Sequence, residues 1–146
     1  MHVIRLRGPW QVIPLARFLP QSDGTYLEVE QALPAECRAS MPADWSATLG
    51  SDFLGRVRYV RPFHKPTGLE PGERVFLVVE AARTDAAVTL NRKSLGQVRR
   101  DGAPLRVDVT ELLGGDERLE IVVEHATEED IGGLVGEVRL EIENEA

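Results

Sequence analysis

The sequence predicts an all-β sandwich, a single domain over residues 1–146. Three observations predict it. Apolar and polar residues alternate at period two in one segment after another. Turn-forming clusters recur at short intervals, at Pro66-Thr67-Gly68, Pro71-Gly72, Asp101-Gly102-Ala103-Pro104, Gly114-Gly115-Asp116 and Gly132-Gly133. No segment carries the i, i+3, i+4, i+7 apolar stripe of an amphipathic helix.

Taken in order, IRLRG, WQV and TYLEVE read as strands within a first third punctuated by prolines at 9, 14, 20, 34 and 42. RVFLVVEAA (74–82) is apolar on both faces, as a central strand covered on both sides must be. AAVTLNRKSLGQV (86–98) reads as a hairpin. Val88 and Leu90 precede, and Leu95 and Val98 follow, a four-residue polar loop Asn91-Arg92-Lys93-Ser94. PLRVDVT (104–110) alternates through Leu105, Val107 and Val109, and Thr110-Glu111-Leu112-Leu113 is at most one helical turn closed by Gly114. RLEIVVEH (118–125) buries Leu119, Ile121 and Val123. GEVRLEIENE (136–145) buries Val138, Leu140 and Ile142 and wets Glu137, Arg139, Glu141 and Glu143.

Composition excludes several classes. Apolar residues are 42% and charged residues 28% of the chain, as in an ordinary soluble globule. A net charge of −7 argues against nucleic acid, whose partners usually present a basic face. Cys37 is the only cysteine, so no intrachain disulfide forms. MHVIRLRGPW has no apolar core or small-residue cleavage site, and no apolar run approaches a membrane span, so the default expectation is a cytoplasmic chain without a membrane partner.

Catalytic signatures are missing: there is no G-x-S-x-G, P-loop, H-E-x-x-H or C-x-x-C. His2, His64 and His125 are too far apart for a local metal motif. The acidic loop Glu128-Glu129-Asp130 offers hard oxygen donors of the kind that hold calcium, but its spacing matches no calcium loop. No cofactor is therefore expected, and no metal. Aromatic residues are only 5% of the chain. Trp10 and Tyr59 read as core plugs, whereas Trp45, in MPADWSA, fits a core wedge and a sugar-stacking platform equally.

The order of motifs carries a resemblance. MPADWSATLGSDFLGRVRYVRPFHKP resembles the P-x-x-W … D-(Y/F)-x-G-x-x-x-Y-x-R-x-F-x-x-P stretch of the N-terminal sugar-binding domain of glycoside hydrolase family 2, the β-galactosidase and β-glucuronidase family. RVFLVVEAARTDAAVTLNRKSLGQV is similar to its V-x-L-x-F-x-G-V-x-x-x-A-x-V-x-L-N-G-x-x-L-G-x-H segment. APLRVDVTELLGGDERLEIVVE resembles its P-F-x-x-D-(V/I)-T-x-x-L-x-x-G-x-N-x-L-x-V-x-V. RLRGPWQV and IGGLVGEVRLE resemble its opening and closing motifs, so the likeness covers about residues 4–143. Arg92 stands where the family's L-N-G turn has Gly.

The resemblance implies a jelly-roll, galactose-binding-like sandwich. It also implies that the family's catalytic carboxylates lie elsewhere, on a barrel of ~250 residues for which this chain has no room. The expectation is a non-catalytic carbohydrate-binding module using Trp45, Asp52, Arg58, Arg61, Asn91, Arg99 and Asp101. Five of these also have a structural role to fill: Asn91, Asp52 and Asp101 as turn residues, Arg58 on a solvent face, and Arg61 as a strand-end arginine paired to a carboxylate. The alternative is an interaction module that docks on a separately encoded glycosidase-like protein or forms a homo-oligomer without binding sugar. An independent enzyme ranks last.

Overall fold

Period-two alternation is realised as two antiparallel sheets laid face to face. The computed structural model describes the chain except residues 41–42, 45–48, 51–52, 81–84, 100–101, 126–132, 135 and 145–146, and gives only the backbone of 43–44, 125 and 133–134. Its strands are β1 (His2–Arg5), β2 (Trp10–Pro20), β3 (Tyr26–Val29), β4 (Cys37–Ala39), β5 (Ala43–Asp44), β6 (Gly55–His64), β7 (Glu73–Val79), β8 (Ala86–Leu90), β9 (Lys93–Val98), β10 (Leu105–Asp108), β11 (Asp116–His125), β12 (Gly133–Leu134) and β13 (Val138–Asn144). A 3₁₀ turn at Thr110–Leu112 is the single helical turn expected there. Among the described residues no helix is long and apolar enough to cross a membrane.

One sheet has the order β1-β13-β7-β10. The other runs β3-β2-β6-β11-β8-β9, with β4 beside β3 on the same flank of β2, and β5 and β12 pair separately. The chain passes back and forth between the sheets, so each inner face is assembled from distant segments. Trp10, Val12, Val57, Tyr59, Val88, Leu90, Leu119, Ile121 and Val123 face Val75, Leu77, Val79, Val138, Leu140 and Ile142 across one continuous core. Burial of each such side chain contributes about 1.5–3 kcal/mol. Trp10 and Tyr59 are core residues, as expected. Val75–Val79 of β7 are buried on both faces, as their unbroken apolar run requires.

Two elements differ from the sequence expectation. The hairpin loop is two residues, Asn91-Arg92, and Lys93 and Ser94 belong to β9. Both loop residues adopt positive φ, 50° and 67°, as in the type I′ turn whose twist matches the flanking strands. The register then slips at Val88/Thr89, and Gly96, at φ 129°, accommodates the extra residue. The second difference is β2, which runs well beyond WQV and through Pro14. It pairs β4 over Trp10–Val12 and β3 over Arg17–Pro20. Pro14 thus falls between these partners, beside the irregularity at Pro14/Ala16, where no ladder needs its missing N–H.

The outer face of the smaller sheet is a lattice of ion pairs rather than bare apolar surface. Glu141, only 8% exposed, accepts from Arg139 Nε at 2.8 Å and Arg106 Nε at 3.2 Å. The Arg106 guanidinium lies 3.7 Å from the centroid of the Phe76 ring, covering it. Arg139 also pairs Glu80 and Glu137, and Arg74 pairs Asp108 and Glu111. The Arg139 hydrogen bond, opposed by burial and reinforced by Arg106, holds the Glu141 carboxyl below its ordinary value of 4.5. Because the unfolded chain takes up that proton first, stability is fully present above pH 4.5 and declines as the pH falls through the lower folded value. Thermal unfolding from pH 7 to pH 3 is expected to show this decline, and Glu141→Gln to flatten it. An unchanged slope in the variant would assign the acid sensitivity to other carboxylates.

Candidate functional site

At one end of the sandwich the inward alternation carries charge instead of carbon. On β11 the phase of Leu119, Ile121 and Val123 extends back to Glu117, which is 2% exposed. On β6 the phase of Val57 and Tyr59 extends to Arg61 and Phe63, and the register sets Arg61 opposite Leu119 and Phe63 opposite Glu117. A carboxylate and a guanidinium are thereby brought to the mouth of the core on neighbouring strands. They line a cleft of about 460 Å³ whose apolar walls are Ile4, Leu6, Phe63 and Leu140. Arg5, Pro62, His64 and Asp116 complete its lining.

Hydrogen bonding fixes the carboxylate. Glu117 Oε1 accepts from the backbone N–H groups of Gly114 and Gly115 at 2.5 and 3.0 Å, in a turn where Gly115 sits at φ 134°. Glu117 Oε2 is buried with no hydrogen-bond partner among the described residues, and so is Arg61 Nε. Arg61 Nη1 donates to the Pro62 carbonyl at 2.5 Å. An unsatisfied buried polar atom costs about 1–3 kcal/mol, so two in one cleft need a reason. The neighbouring polar side chains are committed: Arg5 to Glu137 at 2.9 Å and the exposed His64 Nδ1 to Asp116 at 2.8 Å. Trp10 Nε1 donates to the Leu6 carbonyl at 2.7 Å and pins that wall to the core. Among the described residues no group of three or more His, Cys, Asp or Glu is placed to hold a metal ion.

Of the residues singled out by sequence, Trp45, Asp52 and Asp101 lie outside the described residues, as does the acidic loop at 128–130. Arg61 stands in the cleft and has no ion-pair partner among the described residues, unlike the paired strand-end arginine its sequence suggested. Arg58 is on the opposite face of β6, half-exposed, with Nε 3.9 Å from Glu120. Arg99 follows β9 and pairs Asp85 at 3.6 Å. Asn91 is at the same end of the sheet as Arg61, one strand away across β11, and Arg99 is at the other end.

Asn91 does more than make the turn. Its Oδ1 accepts from Arg118 N at 2.9 Å and its Nδ2 donates to the Leu112 carbonyl at 3.0 Å, tying the hairpin to β11 and to the 3₁₀ turn. Asn91→Ala removes both bonds and a residue tolerant of positive φ, so it is expected to destabilise by about 2–3 kcal/mol in denaturant titration. A loss below about 0.5 kcal/mol would show these bonds to be replaceable by water.

Sequence reasoning did not single out Glu117, and it weighed His64 only as a metal ligand and Asp116 only as part of a turn. A signal for Glu117 exists, since it continues the inward phase of DERLEIVV by one step.

No protein-family model and no curated protein matches the chain. Solved structures do. The FMN-binding β-glucuronidase of Facaelibacterium prausnitzii L2-6 matches with a TM-score of 0.70 and 25% identity, over 95% of this chain and 22% of its own. The Bifidobacterium dentium β-glucuronidase matches at 0.73 and 19%, over 98% and 30%. A GH2 β-galacturonidase from Eisenbergiella tayi matches at 0.67 and 16%, over 96% and 24%. The chain thus has the sandwich fold of a domain in family 2 glycoside hydrolases, and spans 22–30% of the length of these three enzymes.

Proposed function

We propose that this domain is a non-catalytic carbohydrate-binding module. The observation that carries the reading is the cleft at the sandwich end, which joins apolar walls suited to the C–H face of a pyranose with buried, unengaged donor and acceptor atoms suited to its hydroxyls. Likeness to glycosidases across almost the whole chain supports a carbohydrate as the ligand.

Saturation-transfer NMR with a panel of mono- and oligosaccharides tests it. Saturable, millimolar or tighter binding is expected, with no release of nitrophenol from aryl glycosides. Absence of binding to every member of the panel overturns the reading. Turnover that disappears on replacing one carboxylate overturns its non-catalytic half.

One observation favours a second reading, an interaction module. Leu19, Tyr26 and Leu27 are 39%, 41% and 52% exposed on the β2–β3 hairpin, and β3 is an edge strand whose backbone can pair with another chain. Light scattering would reveal self-association, and Leu27→Lys would abolish it.

A further inference from the structure

We propose that Glu117 and Arg61 together bind a neutral polyhydroxylated ligand, an uncharged glycoside rather than a uronate. This rests on the carbohydrate-binding reading and names the site and the ligand class within it. An ionised carboxylate oxygen only accepts hydrogen bonds and a guanidinium Nε only donates. Satisfying both buried atoms therefore takes a ligand that donates and accepts. Hydroxyl groups do both, on a neutral glycoside and on a uronate alike; what a uronate adds is a carboxylate, which only accepts. A uronate placed here brings its negative charge towards Glu117 and Asp116, while Arg5 is engaged by Glu137 and Arg61 Nη1 by the Pro62 carbonyl. Leu6, Phe63 and Leu140 offer the apolar wall against which a sugar ring packs.

Glu117→Gln is the discriminating substitution. The amide oxygen can still accept from Gly114 and Gly115, but the second position becomes a donor where the ligand must donate. Calorimetric affinities for methyl β-D-galactopyranoside, methyl β-D-glucopyranoside, glycerol and sodium glucuronate are measured on the wild type, Glu117→Gln and Arg61→Lys. Arg61→Lys removes the Nε donor and carries the test alone should Glu117→Gln unfold. The expected result is binding of at least one neutral glycoside, weakened about tenfold or more in each folded variant, with glucuronate about tenfold weaker on the wild type. Binding of glycerol comparable to the glycosides would assign the site to small polyols rather than pyranosides and overturn the glycoside assignment. Sugar binding that is unchanged in both variants, or glucuronate bound more tightly than the neutral glycosides, overturns the proposal while the carbohydrate-binding reading stands. No binding by any of these sugars overturns both.

Discussion

Gly55→Ala is expected to destabilise the domain by about 3 kcal/mol or more, at the upper end of what overpacking costs. Gly55 opens β6, pairs with Arg17 on one side and His125 on the other, and is buried. A Cβ built there would lie 2.1 Å from the Ala16 carbonyl oxygen and 2.8 Å from Phe53 Cζ. The closer atom is backbone in a paired strand, so it cannot swing aside as a side-chain tip would. Phe53 has little room either, being 2% exposed with the Arg17 guanidinium 5.2 Å from its ring centroid. β2 and β6 must therefore separate locally, which disturbs the pair that holds β3 and β4 to the sheet. Differential scanning calorimetry should show Tm lower by roughly 10 °C. A loss under about 1 kcal/mol would mean that the two strands part without cost to the core.

Trp10→Ala is expected to cost about 4 kcal/mol, the range for truncating a buried tryptophan. Trp10 is fully buried, so the substitution opens a cavity in the core beside the cleft wall, and it orphans the Leu6 carbonyl that Nε1 reaches. Trp10→Phe restores most of the volume and none of the hydrogen bond, and should recover all but about 1–2 kcal/mol. Because Leu6 lines the cleft, Trp10→Phe should also weaken sugar binding at a temperature where the variant remains folded. Urea titration and calorimetry read the two effects separately. Equal stability of the Ala and Phe variants would contradict the packing argument.

How much of this was legible in the sequence depends on whether a feature is local. The strands of the core were legible because one face of each is buried: Leu119, Ile121 and Val123, or Val138, Leu140 and Ile142, can occupy only one phase. The turn at Asn91-Arg92 was harder, since arginine is an unusual second residue for a turn with two positive φ angles, and a longer loop reads more naturally. Pro14 concealed the length of β2, because the gap between β3 and β4 that tolerates it belongs to the sheet and not to the segment. Arg61 was selected through its place in a family-like motif. Glu117 is hidden because the alternation is plain only from Arg118 onward, whereas β11 begins at Asp116 and buries the carboxylate that precedes Arg118. The remaining wall could not be read at all. It exists because Ile4 of β1 pairs Leu140 of β13 within one sheet built from opposite ends of the chain, a juxtaposition set by topology.

The most direct test of the carbohydrate-binding cleft is a ¹⁵N–¹H titration of the wild-type domain with methyl β-D-galactopyranoside and methyl β-D-glucopyranoside. Saturable shifts confined to the amides of Leu6, Arg61, Phe63, Glu117 and Leu140 are the predicted result. A spectrum unchanged at millimolar sugar, or shifts gathered on Leu19, Tyr26 and Leu27 of the β2–β3 hairpin, would contradict it.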